Sequence, residues 1–232
     1  NADLTLQGDA DIAQSATASG TATQVGSTVA VGAAFQADRP LVAIPPVDPT
    51  AYRPYANWIL TSDGRVLDGP TGVGLFSFPE VAGAAAASFN GFVWSRRTGW
   101  RTNTSGWVDG MYYIEGDLRF TNGGTDTHPW AVTMVAEGDI GMDGSPHLRP
   151  YYNDTELFVA GGDVCAHGTG TSAALEGLIL AHEQVLLDGN ITFAGRIVAE
   201  SAENTADSLN PHALNPLLSQ FGGSVHITYD GS

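Results

Sequence analysis

The sequence predicts an all-β fold, a right-handed parallel β-helix (β-solenoid) with an aromatic-rich insertion and a short C-terminal helix. Three observations lead there. First, a phrase recurs: "VAEGDIGMDG" at Val135–Gly144 returns as "VAGGDVCAHG" at Val159–Gly168. Second, both belong to a longer series. Its members are "YYIEGDLRFTN" from Tyr112, "MVAEGDIGMDG" from Met134, "FVAGGDVCAHG" from Phe158, "ILAHEQVLLDG" from Ile179 and a shorter "IVAESAE" from Ile197. A period of about 22 residues, with two short strands and a glycine turn per unit, is that of stacked coils. Third, apolar positions keep step between copies. Leu118, Ile140, Val164 and Val185 form one inward column, and Phe120, Met142, Ala166 and Leu187 the next. Tyr112, Met134, Phe158, Ile179 and Ile197 form a third, beside Ile114, Ala136, Ala160, Ala181 and Ala199. Side chains alternate along a strand, so each column is one face's share of a common core. The right hand follows the bias of parallel crossovers.

The elements follow in order within one solenoid domain. Residues 1–39 read as N-terminal coils, because "ADLTLQG" matches the second half of the unit, with Asp3 in the place of Asp117, Asp139 and Asp163. Residues 40–110 hold a connector and the insertion. "IPPVDPTAYRPY" is proline-rich and reads as an extended connection. "TSDGRVLDGPTG" reads as a hairpin, and Trp58, Trp94, Trp100 and Trp107 belong to the same region. Residues 111–201 are the main coils. Residues 202–232 supply a helix and a last strand; within "DSLNPHALNPLLSQF", Asn210 caps the helix and Pro211 takes its first position. One outward column, Tyr113, Val135, Val159, Leu180 and Val198, is also apolar. It requires a cover, from the 40–109 segment or the C-terminal one.

Charge narrows the partners. The chain of 232 residues carries 25 acidic residues against nine basic ones, all arginine, for a formal net charge of −16. Nucleic acid and anionic membrane surfaces would repel it, so neither is expected as a partner. Cations and neutral ligands such as glycans remain. A single cysteine, Cys165, excludes an internal disulfide. No apolar run reaches membrane-spanning length.

Chemistry would be written on the outward columns. One holds Glu115, Glu137, Gly161, His182 and Glu200, and another Asp117, Asp139, Asp163 and Gln184. Carboxylates stacked about 4.8 Å apart repel unless something compensates them. A ladder of calcium or another divalent cation would do so. So would backbone N–H groups at the coil corners, the commoner use of a turn aspartate. Asp143, Asp163, Cys165, His167 and Asp188 share an outward face and are candidate metal ligands, although no spacing motif of a metal site accompanies them. If the protein were a carbohydrate-active hydrolase or lyase, Asp139 and Asp163 would be its acid and base. Against that, these acids follow the repeat, whereas catalytic groups usually break one. Trp94, Trp100 and Trp107 could form a stacking platform for sugar rings or cover the apolar stripe.

The phrases "YYIEGDLRFTNGG", "PWAVTMVAEGDIGMDG", "ELFVAGGDVCAHG", "EGLILAHEQVLLDGNITFAGRIVAESA" and "GSVHITYDG" resemble the C-terminal β-solenoid region of bacterial PilX-like, prepilin-type proteins. The similarity extends to "NADLTLQGDADIAQSATASG" and "IPPVDPTAY". It implies an extracellular or cell-surface location and association with type IV pilus-like machinery; taken with the unbroken repeat, it leads us to expect a non-enzymatic role in adhesion or filament formation. Expected partners are a cell-surface glycan, a pilus-like protein or another copy of the chain, with no cofactor beyond a divalent cation. In that family the solenoid follows a hydrophobic pilin helix, so an upstream segment is expected to have been removed from a chain that opens on "NADLTLQG".

Overall fold

The computed structural model describes residues 3–7, 11–12, 15–17, 22–25, 30–31, 34–36, 46–77, 88–102, 106–152, 155–200, 218–221 and 224–228. It is a β-solenoid whose stacked coils pair in parallel. Each full coil turns through three faces. Face A holds Gly110–Ile114, most of Trp130–Ala136, and Glu156–Ala160, then the ends of two long strands, Val164–Ala181 and Val185–Ala199. Face B holds Leu118–Phe120, Ile140–Gly144 and the starts of those long strands. Face C holds His147–Arg149 and their middles.

The columns expected from the repeats stand in register. On face B, Leu118 lies opposite Ile140, Ile140 opposite Val164 and Val164 opposite Val185. Phe120, Met142, Ala166 and Leu187 stack beside them. On face A, Tyr112, Met134, Phe158, Ile179 and Ile197 align, next to Ile114, Ala136, Ala160, Ala181 and Ala199. These side chains form one buried core, with Ile197 and Ala199 half-buried at its margin. Coils hold together because no single coil could bury its own apolar face.

Face C adds a third strand to each coil, where the repeat suggested two. Trp130, Leu148, Leu175, Phe193, Ile227, Ile12 and Val31 are partners in one continuous register along it. No one residue type runs through this series, which is why the repeat did not reveal it. Position was kept and identity was not, since any large apolar side chain fills the corner of a coil.

Coil order along the stack differs from chain order. Trp58–Leu60 pairs with Gly110–Ile114 and Gly99–Thr102 with Leu118–Phe120, so the insertion supplies the first rung of two faces. From there the chain winds rung by rung to Leu218–Phe221 and Ser224–Thr228. Asp3–Gln7 and Asp11–Ile12 then pair with those last strands. Ala22–Val25 and Ala30–Val31 lie outside them. The N-terminal strands therefore continue the stack beyond the C-terminal ones.

The two ends differ. At the first end, Trp58–Leu60 continues antiparallel into Arg65–Asp68 and Gly74–Ser77, and Gly99–Thr102 into Phe92–Ser95. The hairpin expected in "TSDGRVLDGPTG" is the first of these turns. An aromatic cluster closes the core beneath: Phe92 lies 4.5 Å from Tyr112 and 5.9 Å from Trp130, ring centroid to centroid. At the other end, the outermost parallel strands pair on one side only among the described residues.

Two local expectations change. The connector is not extended: Pro49–Tyr55 is a 3-10 helix, with Asp48 as N-cap accepting from the Thr50 N–H at 2.9 Å and Pro49 at the first position. An aspartate followed by proline is a helix-start signal that outweighed the extended bias of the prolines. Of the C-terminal segment read as a helix, Leu218–Phe221 is a β-strand on face B. The remainder, including Asn210 and Pro211, lies outside the described residues.

Candidate functional site

The corner between faces A and B explains the repeated Gly-Asp. The Asp139 N–H donates to Asp117 Oδ1 at 3.1 Å, the Asp163 N–H to Asp139 Oδ1 at 2.7 Å, and the Gln184 N–H to Asp163 Oδ1 at 2.9 Å. Each carboxylate thus reaches one coil further and caps the next corner. The preceding glycine makes room for it: a Cβ on Gly138 would lie 2.1 Å from Asp117 Oδ1, and one on Gly162 2.0 Å from Asp139 Oδ1. Asp139 and Asp163, the candidate acid–base pair, are 6% and 1% exposed. The neighbouring donors compensate charge that stacking would otherwise set in repulsion.

The glutamate column holds the cover in place. Glu115 pairs with Arg53 of the 3-10 helix at 2.6 Å, and the Tyr113 hydroxyl donates to Glu137 at 2.5 Å. Glu200 bridges two elements: Oε1 accepts from the Val47 N–H at 2.6 Å and Oε2 lies 2.5 Å from His182 Nδ1. Beneath the connector, Ile59, Tyr113, Val135 and Val159 of the outward apolar column are buried with Val47 and Ala56. The expected cover is therefore the connector. Burial, then the hydrogen bond to Glu137, raises the Tyr113 phenol, and burial dominates for Tyr112.

The candidate metal ligands split between two columns and the corner. Asp143, His167 and Asp188 are register partners on adjacent coils, with His167 Nδ1 3.3 Å from Asp188 Oδ2. Asp188 also accepts from the Gly189 N–H at 2.7 Å. Cys165 stands in the column of Gly141 and Leu186, and Asp163 is buried in the corner ladder. Among the described residues, no group of three or more His, Cys, Asp or Glu side chains is arranged to hold a metal ion.

The tryptophans gather at the antiparallel end. Trp100 is 1% exposed and its indole N–H donates to the Thr61 carbonyl at 2.8 Å. Trp94 is half-buried against Gly64, where a Cβ would lie 2.5 Å from its ring. Trp107 is half-buried too, stacked on Trp130 with ring centroids 6.1 Å apart. Trp100 offers no open ring face to a ligand, and the other two each offer part of one.

An open groove that the sequence did not reveal lies where the cover runs out. It measures about 550 Å³; its lining includes Val47, Ala51, Tyr52, Tyr55, Leu180 and Val198, with Asp48 the one charged residue among them. Leu180 and Val198 end the outward apolar column whose earlier members the connector buries. Residues three apart eclipse in a 3-10 helix, so Tyr52 and Tyr55 turn to the same side. Tyr55 is 72% exposed. The Tyr52 hydroxyl donates to Glu156 at 3.1 Å; burial, followed by the charge of Glu156 and that hydrogen bond, pushes its pKa up to about 12. The outward column was legible as a signal; the place where a seven-residue helix would stop covering it was not.

Among the described residues, no helix is long and apolar enough to cross a membrane. Comparison with protein-family models, with curated proteins and with solved structures finds no match.

Proposed function

We propose that this chain is a non-enzymatic β-solenoid module of the bacterial cell surface, held out by type IV pilus-like machinery, that adheres to a neutral glycan through the groove beside the connector. The observation that carries the reading is the groove: an exposed Tyr55 beside Leu180 and Val198, apolar ground on a strongly acidic chain. Sugars present apolar ring faces that stack on aromatic side chains, and a neutral one meets no repulsion from the acidic surface. The pilus association is supported by the resemblance of the repeated phrases to prepilin-type solenoids. A non-catalytic role is supported by the use of Asp139 and Asp163 as buried backbone acceptors. A glycan array is the test. Neutral-glycan binding should be lost in Tyr55→Ala while the fold is unchanged. Turnover of any polysaccharide, abolished by Asp139→Asn or Asp163→Asn, would replace this reading with that of a hydrolase or lyase.

A further inference from the structure

The groove is long, and its walls are set before a ligand arrives. The connector beside it is tied to Glu200 through Val47 and to Glu115 through Arg53. Those glutamates stand four coil steps apart in one column, about 19 Å along the stack at the spacing of paired strands. The 3-10 helix advances about 2 Å per residue, so Asp48 and Tyr55, both in the lining, lie about 14 Å apart along it. Leu180 and Val198, register partners on adjacent coils, supply apolar ground. Three carboxylates hold the wall. Glu200 accepts from the Val47 N–H at 2.6 Å and Glu156 from the Tyr52 hydroxyl at 3.1 Å. Asp48 Oδ1 accepts from the Thr50 N–H at 2.9 Å and from the Thr50 hydroxyl at 2.6 Å. Its second oxygen, Oδ2, makes no hydrogen bond to the described residues. A wall fixed in this way needs little ordering when a ligand binds.

We propose that the groove takes a run of several sugar rings within a neutral glycan chain, and that Asp48 is its specificity-determining residue; this rests on the glycan reading. One ring stacks on Tyr55, which is 72% exposed, while hydroxyls of a more distant ring donate to Asp48 Oδ2. A single ring cannot touch both ends, and a volume of about 550 Å³ is more than one ring fills. Hydrogen bonds to an ionised acceptor are stronger than neutral ones, so the carboxylate rewards a chain long enough to reach it. A uronate brought to the same place meets like charge and is turned away.

Titration calorimetry of the full chain tests this, with neutral oligosaccharides of glucose, galactose, mannose and N-acetylglucosamine, each as a series from one ring to six. At least one series should bind, its affinity rising about 100-fold with length and then levelling off once the chain reaches Asp48. That length dependence belongs to the wild type and does not rely on a variant folding. Asp48→Ser keeps one oxygen to cap the Thr50 N–H and has no second. It should weaken binding of six rings about 10-fold and leave sugars too short to reach position 48 unaffected. Affinity that does not rise with length, or an Asp48→Ser variant that binds six rings as the wild type does, would overturn the proposal and leave adhesion to a glycan standing. Absence of binding by every series at every length would overturn the glycan reading, and this proposal with it.

Discussion

Gly138 and Gly162 carry no side chain because the carboxylates of Asp117 and Asp139 occupy the space where a Cβ would sit. The pairing of Gly with Asp is thus one contact read from both sides, which accounts for its recurrence in successive coils. Removing an acceptor should be costly where its donor is buried. Asp163→Ala should destabilise by about 2–3 kcal/mol, and Asp163→Asn, which keeps an amide oxygen near the Gln184 N–H, by about 1 kcal/mol. Chemical denaturation of the two variants checks the ranking. The aspartate positions were visible in the sequence; whether they faced ions or backbone was not, because both uses place an acid after a glycine. The tyrosines supply a pH test. Tyr52 is raised from 10.0 to about 12, and Tyr112 and Tyr113 are raised as well. A folded state that holds a phenolic proton more tightly than the unfolded chain has that stabilisation in full below the unfolded pKa. Stability should therefore fall as pH climbs from 10 toward 12, and phenolate absorbance should show part of the seven tyrosines ionising late, together with unfolding.

Among the elements, the connector shows how an outward apolar stripe becomes core. Its 3-10 helix lies across face A and is tied down by Arg53, which pairs with Glu115 and sits 5.2 Å from the centroid of the Tyr113 ring. The ion pair is partly exposed, at 37% and 23%, so solvent screening limits its worth. Arg53→Ala should cost about 1 kcal/mol, ion pair and ring contact together. The larger effect belongs beneath the helix: Val135→Asp would bury an unpaired carboxylate and should prevent docking of the connector, seen as proteolytic cleavage within Pro49–Tyr55. Faces A and B were legible because their letters repeat. Face C was not, because Trp130, Leu148, Leu175 and Phe193 hold to large apolar residues without keeping to one type. Periodic identity marks places where a particular atom is needed, as at the corner; packing alone asks for volume.

At the scale of the molecule, stability should vary along the stack, as in other linear repeats. Trp130–Ala136 is buried at every residue, whereas most positions in Val185–Ala199 are at least partly exposed. Hydrogen exchange should accordingly be slowest in the former and faster in the latter, and the reverse gradient would show that coils do not contribute by their own packing. There is also a consequence for the order in which the chain can assemble. Asp3–Gln7 rests on Leu218–Phe221, a neighbour synthesised almost a full chain length later. On the ribosome Asp3–Gln7 can meet Ala22–Val25 early but must wait for its other neighbour until Leu218–Phe221 has emerged. A closure over so long a stretch is slow and leaves sticky sequence exposed meanwhile. A chain halted before Leu218 should therefore leave Asp3–Gln7 unable to join the main stack.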